Sequence, residues 1–277
     1  NTLTIINTYY NFFIKIKNKI KAGLNMKVGV IGCGAIANII IDHIQPKDNI
    51  EFKYFFDKDT EKAEELTEKT NGILCENLSE MLNDVDLVLE AASQEFLKQY
   101  GVEIVKHANL MNMSIGALMD EKFRKELIQT SKNNHTNIYA PSGAVIGVDG
   151  LKAACIGEIS SLTLTTRKSP KSLGIETDKC ETLFKGKASE AVVKYPKNMN
   201  VAATLSLSCK RDIDVEVIVD PSVDRNIHEV HAIGSFGEFK TITCNQPIKA
   251  NPKTSELAAL SAIKKLKSLN KQFHVGT

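Results

Sequence analysis

The chain has no Cys-x-x-Cys pair; its six cysteines, at positions 33, 75, 155, 180, 209 and 244, stand singly. That spacing excludes the ligand sets of structural zinc and the disulfide framework of small secreted domains. Isolated thiols of this kind are expected to be buried and reduced, which points to the cytoplasm. No run reaches the roughly 18 apolar residues of a membrane-spanning helix, so no membrane partner is expected. Charge of one sign is scarce as well. The formal net charge is +2, and residues 1–25 hold four lysines and no acid, which leaves 31 basic against 33 acidic side chains in the rest. A nearly neutral body lacks the cation stripe that a phosphate backbone demands, and this excludes nucleic acid as a partner. Internal repeats and low-complexity tracts are missing, as are Ser-His-Asp, metal-ligand and phosphate-transfer groupings.

What is present suits two modest domains: 277 residues, 43% of them apolar, enough for a sizeable core. In the first 25 residues, Ile5, Tyr9, Phe12, Phe13, Ile16 and Ile20 would share one helical face, with lysines largely opposite. One reading is a basic amphipathic helix on a membrane surface or a partner. The other makes Met26 the start of the fold and residues 1–25 an extension outside it, because a complete strand begins at the next residue.

From Met26 to about Ala140, short apolar runs alternate with helical stretches. Strands are predicted at 27–31, 52–56, 86–90, 110–114 and 137–140, with helices at 35–43, 59–69, 94–107 and 120–132. Strand–helix alternation with short connections is the pattern of a doubly wound parallel sheet. After about Val145 the texture changes. Strands at 159–167, 215–219, 226–233 and 236–243 follow without a helix between each pair, and the last two meet at a Gly234-Ser235 turn. Helices are predicted at 188–194 and 201–208, and a final helix, led in by Asn251-Pro252, runs from Ser255 to about Leu269. The expected organisation is a dinucleotide-binding domain of residues 26–143 with 252–277, and a smaller α+β domain of residues 144–251 with a mixed or antiparallel sheet.

Gly32-Cys33-Gly34-Ala35-Ile36-Ala37 lies between the first strand and the first helix. Gly32 permits the tight turn, Gly34 removes a Cβ that would block a pyrophosphate, and Ala37 allows close helix–strand packing. The first amides of the helix, Ala35 and Ile36 among them, would face the anion. Asp57, at the end of the second strand, is placed to accept the ribose hydroxyls and to repel a 2′-phosphate, which favours NAD over NADP, although Lys58 beside it softens that preference. Small residues follow the later strands, at Glu90-Ala91-Ala92-Ser93, Ser114-Ile115-Gly116-Ala117-Leu118 and Pro141-Ser142-Gly143-Ala144, where backbone can approach a nicotinamide. Ala92, Ser93 and Ala144 are candidates for that contact.

Among the six histidines, His228 enters a strand of the second domain from a loop, and on a regular strand it would share a face with Val230, opposite His231. An imidazole can exchange protons with an amine, imine or carbonyl near neutral pH. Asn198 and Asn200 open a helix that either could cap, and either amide could instead bind nicotinamide or substrate. Arg167 and Lys168, at a strand end, are candidates for a substrate carboxylate, although charged strand ends are usually just solvated.

These segments together resemble the L-aspartate dehydrogenase family over essentially the whole chain from Met26. The resemblance rests on Gly-Cys-Gly-Ala-Ile at 32–36, Glu-Ala-Ala-Ser at 90–93, Ser-Ile-Gly-Ala-Leu at 114–118 and Pro-Ser-Gly-Ala-Val-Ile-Gly-Val-Asp at 141–149. It continues with Asn-x-Asn-Val-Ala-Ala-Thr-Leu at 198–205, Asp-Pro at 220–221, Asn-Ile-His at 226–228 and Asn-Pro-Lys-Thr-Ser at 251–255. It implies a Rossmann-type domain and NAD(P)-dependent, reversible deamination of aspartate through iminoaspartate to oxaloacetate and ammonia, linked to pyridine nucleotide biosynthesis. It further implies a homodimer, His228 as the catalytic residue, and Ala144 with Asn200 or Asn198 at the NAD. Two other readings use the same glycine loop: a two-domain dehydrogenase of the homoserine dehydrogenase or dihydrodipicolinate reductase type, and a non-catalytic NAD sensor.

Overall fold

The computed structural model describes residues 25–196 and 198–276. The amphipathic pattern of the first 25 residues falls, but for Asn25, outside them. Strands β1 (Met26–Ile31), β2 (Ile50–Phe56), β3 (Ile73–Leu74), β4 (Leu87–Glu90), β5 (Asn109–Asn112) and β6 (Ile138–Tyr139) form one sheet in the order β3-β2-β1-β4-β5-β6. Every pairing is parallel. β1 is continuous and apolar because both its faces are covered: Val28, Val30 and Ile31 are fully buried. Helices α1 (Ala35–His43), α2 (Thr60–Thr70), α3 (Ser79–Leu82), α4 (Gln94–His107) and α5 (Glu121–Asn133) make the crossovers. In α1, Ala37, Ile40 and Ile41 recur at helical spacing and are the buried residues. Ser93 and Asp120 cap α4 and α5, accepting from the amides of Phe96 and Phe123. The strand order reverses between β1 and β4, and in such sheets the crevice beyond the strands' carboxyl ends at that point receives the ligand.

The second half contains α6 (Val148–Ala154), β7 (Ile159–Lys168), α7 (Pro170–Leu173), β8 (Glu181–Lys187), α8 (Ala188–Lys194), α9 (Asn200–Cys209), β9 (Asp214–Val219), β10 (Asn226–Gly234) and β11 (Gly237–Asn245). Its sheet runs β11-β10-β7-β9-β8 and is mixed, with only β7 and β9 parallel. One face packs on α6, α8 and α9 through Leu162, Leu164, Val215, Val217, Val230 and Ala232. The chain then forms a short pair, β12 (Pro247–Ile248) and β13 (Asn251–Ser255), and ends in α10 (Glu256–Leu269). Ala259, Ala262, Ile263 and Leu266 of α10 join the core under β1 and α1, and burying a leucine such as Leu266 stabilises by about 1.5–3 kcal/mol.

Several local expectations change. The final helix has its expected span, Glu256–Leu269, but Asn251-Pro252 ahead of it opens β13, because this edge segment pairs with β12, where a proline is tolerated. The β10–β11 turn is Ser235-Phe236, since Gly234 still pairs with Gly237. β8, α6 and α7 carry weak periodicity and were not anticipated. The thiols also depart from the expectation of buried, reduced cysteines. Cys155 and Cys209, 54 residues apart, form a disulfide where the ends of α6 and α9 meet, with 5.4 Å between Cα atoms. Cys180 and Cys244 are exposed, and only Cys33 and Cys75 are free and buried. The cysteines therefore carry no argument about compartment.

Candidate functional site

The glycine turn is held by its own strands. Gly32 has φ +85°, and a Cβ on it would lie 2.5–2.6 Å from the Ala91–Ala92 peptide, so only glycine fits. The Gly32 amide donates to the Phe56 carbonyl at 2.9 Å. Gly34 has φ −81° and precedes α1 without any side-chain cap; a Cβ there would meet nothing within 4 Å. The opening amides of α1 thus face an unobstructed approach, which suits a pyrophosphate. Asp57 braces this loop: its Oδ2 accepts from the Cys33 amide at 2.7 Å and its Oδ1 from the Asp59 amide at 2.9 Å. The carboxylate sits beside the turn, where ribose hydroxyls would share it with those amides.

At the next strand end Glu90 is fully buried, a residue that was not singled out from the sequence. It accepts from the Ala92 amide at 2.8 Å, the Ser114 hydroxyl at 2.7 Å and the Ser114 amide at 3.2 Å. Burial raises its pKa, against these hydrogen bonds. It ties the turns after β4 and β5 together. The available signal was an acid closing an otherwise apolar strand, Leu87-Val88-Leu89-Glu90.

A cleft opens between the two sheets. Of the residues expected at the site, Ile36, Ala144, Asn198, Asn200 and His228 line it, together with Gly143, Lys168 and the Lys253-Thr254-Ser255 stretch. Gly32, Gly34 and Ala35 do not line it; they form the turn after β1. Asp57 follows β2, and Ala92 and Ser93 follow β4.

His228 lies on β10 with 2% of its surface exposed, its Nδ1 3.1 Å from the hydroxyl of Thr166 on neighbouring β7. Burial, and then the charge of Lys168, push its pKa down to about 3, so the ring is neutral. Asn226 on the same strand donates to the Pro252 carbonyl at 3.3 Å and the Ser255 hydroxyl at 3.2 Å, pinning β13 over the cleft.

Neither asparagine caps α9. Met199 occupies the cap position without a side-chain bond, and both amides reach away from the helix. Asn200 accepts from the Gly116 amide at 3.1 Å and donates to the Met113 carbonyl at 3.2 Å, linking α9 to the segment after β5. Asn198 accepts from Lys168 Nζ at 3.0 Å. Asn245 and Ser261, also not anticipated, fix the Gly143-Ala144 turn: Asn245 Nδ2 donates to the Ala144 carbonyl at 2.8 Å and the Ser261 hydroxyl accepts from the Gly143 amide at 3.0 Å. Arg167 points elsewhere and pairs with Asp220 at 2.7 Å.

A doubly wound sheet with this turn at its switch point, facing a neutral imidazole on a second sheet, is the architecture of a two-domain nicotinamide-linked oxidoreductase. Residues 32–141 match the NAD-binding domain described for homoserine dehydrogenase, and residues 149–269 match the C-terminal domain of aspartate dehydrogenase. The chain belongs to the L-aspartate dehydrogenase family. It is 50% identical to the L-aspartate dehydrogenase of Methanothermobacter thermautotrophicus, over 91% of this chain and 99% of that protein. The Methanosarcina barkeri enzyme is 42% identical, over 91% of this chain and all of its relative. The crystal structure of aspartate dehydrogenase from Thermotoga maritima superposes with a TM-score of 0.73 at 27% identity, covering 91% of this chain and 100% of that one.

Proposed function

We propose that this chain oxidises L-aspartate with NAD to iminoaspartate, and that water then releases oxaloacetate and ammonia, reversibly. Iminoaspartate made this way would serve pyridine nucleotide synthesis. The proposed division is a cofactor domain of residues 26–143 and 252–277 and a substrate domain of residues 144–251, in a cytoplasmic homodimer. The observation that carries the reading is the meeting of His228, Asn198 and Asn200 from one half with Ile36 from the other in a single cleft.

When bound, the nicotinamide supplies the acceptor for the hydride leaving the aspartate Cα. The turn at 32–36 would hold its pyrophosphate, Asp57 its adenosine ribose, and Ala144 and Asn200 its nicotinamide end. Asp57 places negative charge where NADP carries its 2′-phosphate, and this supports NAD as the preferred form. Thr166 orients the His228 ring. The substrate ammonium gives up a proton to solvent as it is oxidised. The neutral imidazole then takes a proton from the water that adds to the imine carbon and returns it to the nitrogen. The hydroxyl proton of the resulting carbinolamine follows by the same ring as the C–N bond breaks, leaving oxaloacetate and ammonia. Residues of both halves hold the reacting atoms in line, and such alignment can supply about 7–11 kcal/mol of the barrier.

Aspartate-dependent NADH formation by the purified protein, with homoserine and a dihydrodipicolinate-type substrate run in parallel, tests the reading. Aspartate should be the substrate turned over. His228→Ala should lower kcat by ~10²–10⁴ with NADH binding unchanged. Wild-type turnover in that variant removes the imidazole from the mechanism.

A further inference from the structure

Lys168 is the last residue of β7, and only 3% of its surface is exposed. Its ammonium has three N–H donors. Two point at neutral acceptors, Asn198 Oδ1 at 3.0 Å and the Lys253 carbonyl at 3.3 Å. Among the described residues no carboxylate forms an ion pair with it, and the cleft it lines has no acidic residue in its wall. Burial therefore acts on it unopposed and lowers its pKa to about 8. A buried cation without a counter-ion is costly to fold around, and buried lysines are usually paired. Its neighbour makes the contrast plain. Arg167, one residue earlier and on the other face of the strand, has its carboxylate in Asp220. Lys168 and His228 line the same cleft, close enough for the charge of one to act on the ring of the other.

We propose that Lys168 is the anchor for a carboxylate of the substrate, which completes the ammonium's shell and sets the Cα beside His228. The assignment rests on the reading of the cleft as an amino-acid dehydrogenase site, and it selects a carboxylate-bearing ligand over a neutral one of the same size. An arriving carboxylate would also offset the Lys168 charge, which after burial is the second cause of the low basicity of His228.

The test is steady-state kinetics of Lys168→Met and Lys168→Arg, with titration of succinate into the NAD-loaded enzyme. Lys168→Met keeps the length and removes the charge. Its KM for aspartate should rise ~10²-fold or more, from the loss of one buried charge-assisted contact, with a smaller fall in kcat, unchanged NADH binding and no succinate binding. Lys168→Arg should recover part of the succinate affinity. Replacing an unpaired buried ammonium with an apolar chain favours folding; Lys168→Gln is the second variant should Met fail to give folded protein. An unchanged KM and unchanged succinate affinity in a variant that binds NADH normally would overturn the assignment while leaving the aspartate reading standing. Succinate binding that depends on Lys168, in an enzyme that does not oxidise aspartate, would support the anchor and sink that reading instead.

Discussion

Gly32 and Gly34 sit two residues apart in one turn, yet the structure gives them separable roles. Alanine at Gly32 would have to keep φ near +85°, costing about 1–2 kcal/mol for an L-residue. Its methyl would also overlap the Ala91–Ala92 peptide at 2.5–2.6 Å, contacts that only a backbone shift at the ends of β1 and β4 could relieve. The expected result is a melting temperature lower by about 5 °C or more, together with lost NADH binding. Alanine at Gly34 meets nothing within 4 Å and keeps an ordinary extended φ of −81°. Its weaker cap is offset by reduced freedom of the unfolded chain, about 0.4–1 kcal/mol each way, so the melting temperature should hold. The methyl does obstruct the approach to the α1 amides. One charge-assisted hydrogen bond to the pyrophosphate is worth ~1.5–3 kcal/mol, so the Kd for NADH should rise roughly 10- to 100-fold. Thermal melts paired with NADH fluorescence titrations read both quantities. A Gly34→Ala protein that binds NADH like the parent would refute the placement of the pyrophosphate on this turn.

Asp57→Asn keeps an acceptor for the Cys33 or Asp59 amide and removes the charge; the ratio of NAD to NADP affinity should fall, and an unchanged ratio would take Asp57 out of cofactor choice. Thr166→Val, nearly isosteric, removes the partner of His228 Nδ1; kcat should drop about tenfold with KM for NAD unchanged, since a freely rotating ring is less often aligned. The burial of His228 predicts an acid effect. The ring titrates near 6.5 when unfolded and near 3 when folded, so between those values the unfolded chain holds a proton that the folded chain does not. Its effect on stability is therefore nil above pH 6.5 and increasingly unfavourable as pH falls toward 3; denaturant midpoints of His228→Asn should fall less steeply across that window than those of the parent. Thiol titration without reductant should find Cys180 and Cys244 reactive at once. Cys33 and Cys75, pushed up by burial to about 12 and about 11, should react only on unfolding, and Cys155 and Cys209 only after reduction.

Much of the first domain was readable in advance because its signals are local. A β-branched run, a glycine turn and a periodic helix follow one another within residues 26–43, and the helices at 35–43 and 94–107 have the expected ends. The exposed small elements were not legible: β8 alternates only weakly, and β13 takes its strand conformation from pairing with β12. His228 and the Asn198/Asn200 pair could be nominated by residue type and by resemblance. Which of them share a cleft, and what each amide bonds, could not.

Composition and local pattern alone determined that this chain builds a doubly wound sheet with a dinucleotide turn, because backbone stereochemistry and hydrophobic period act over a few residues at a time. Tertiary structure alone decided that Lys168 is buried with no counter-ion among the described residues, that Arg167 beside it is already paired, that Glu90 clamps two turns, and that Cys155 meets Cys209. Each of those depends on which distant segments exclude water from the same small volume, and no spacing along the chain encodes it.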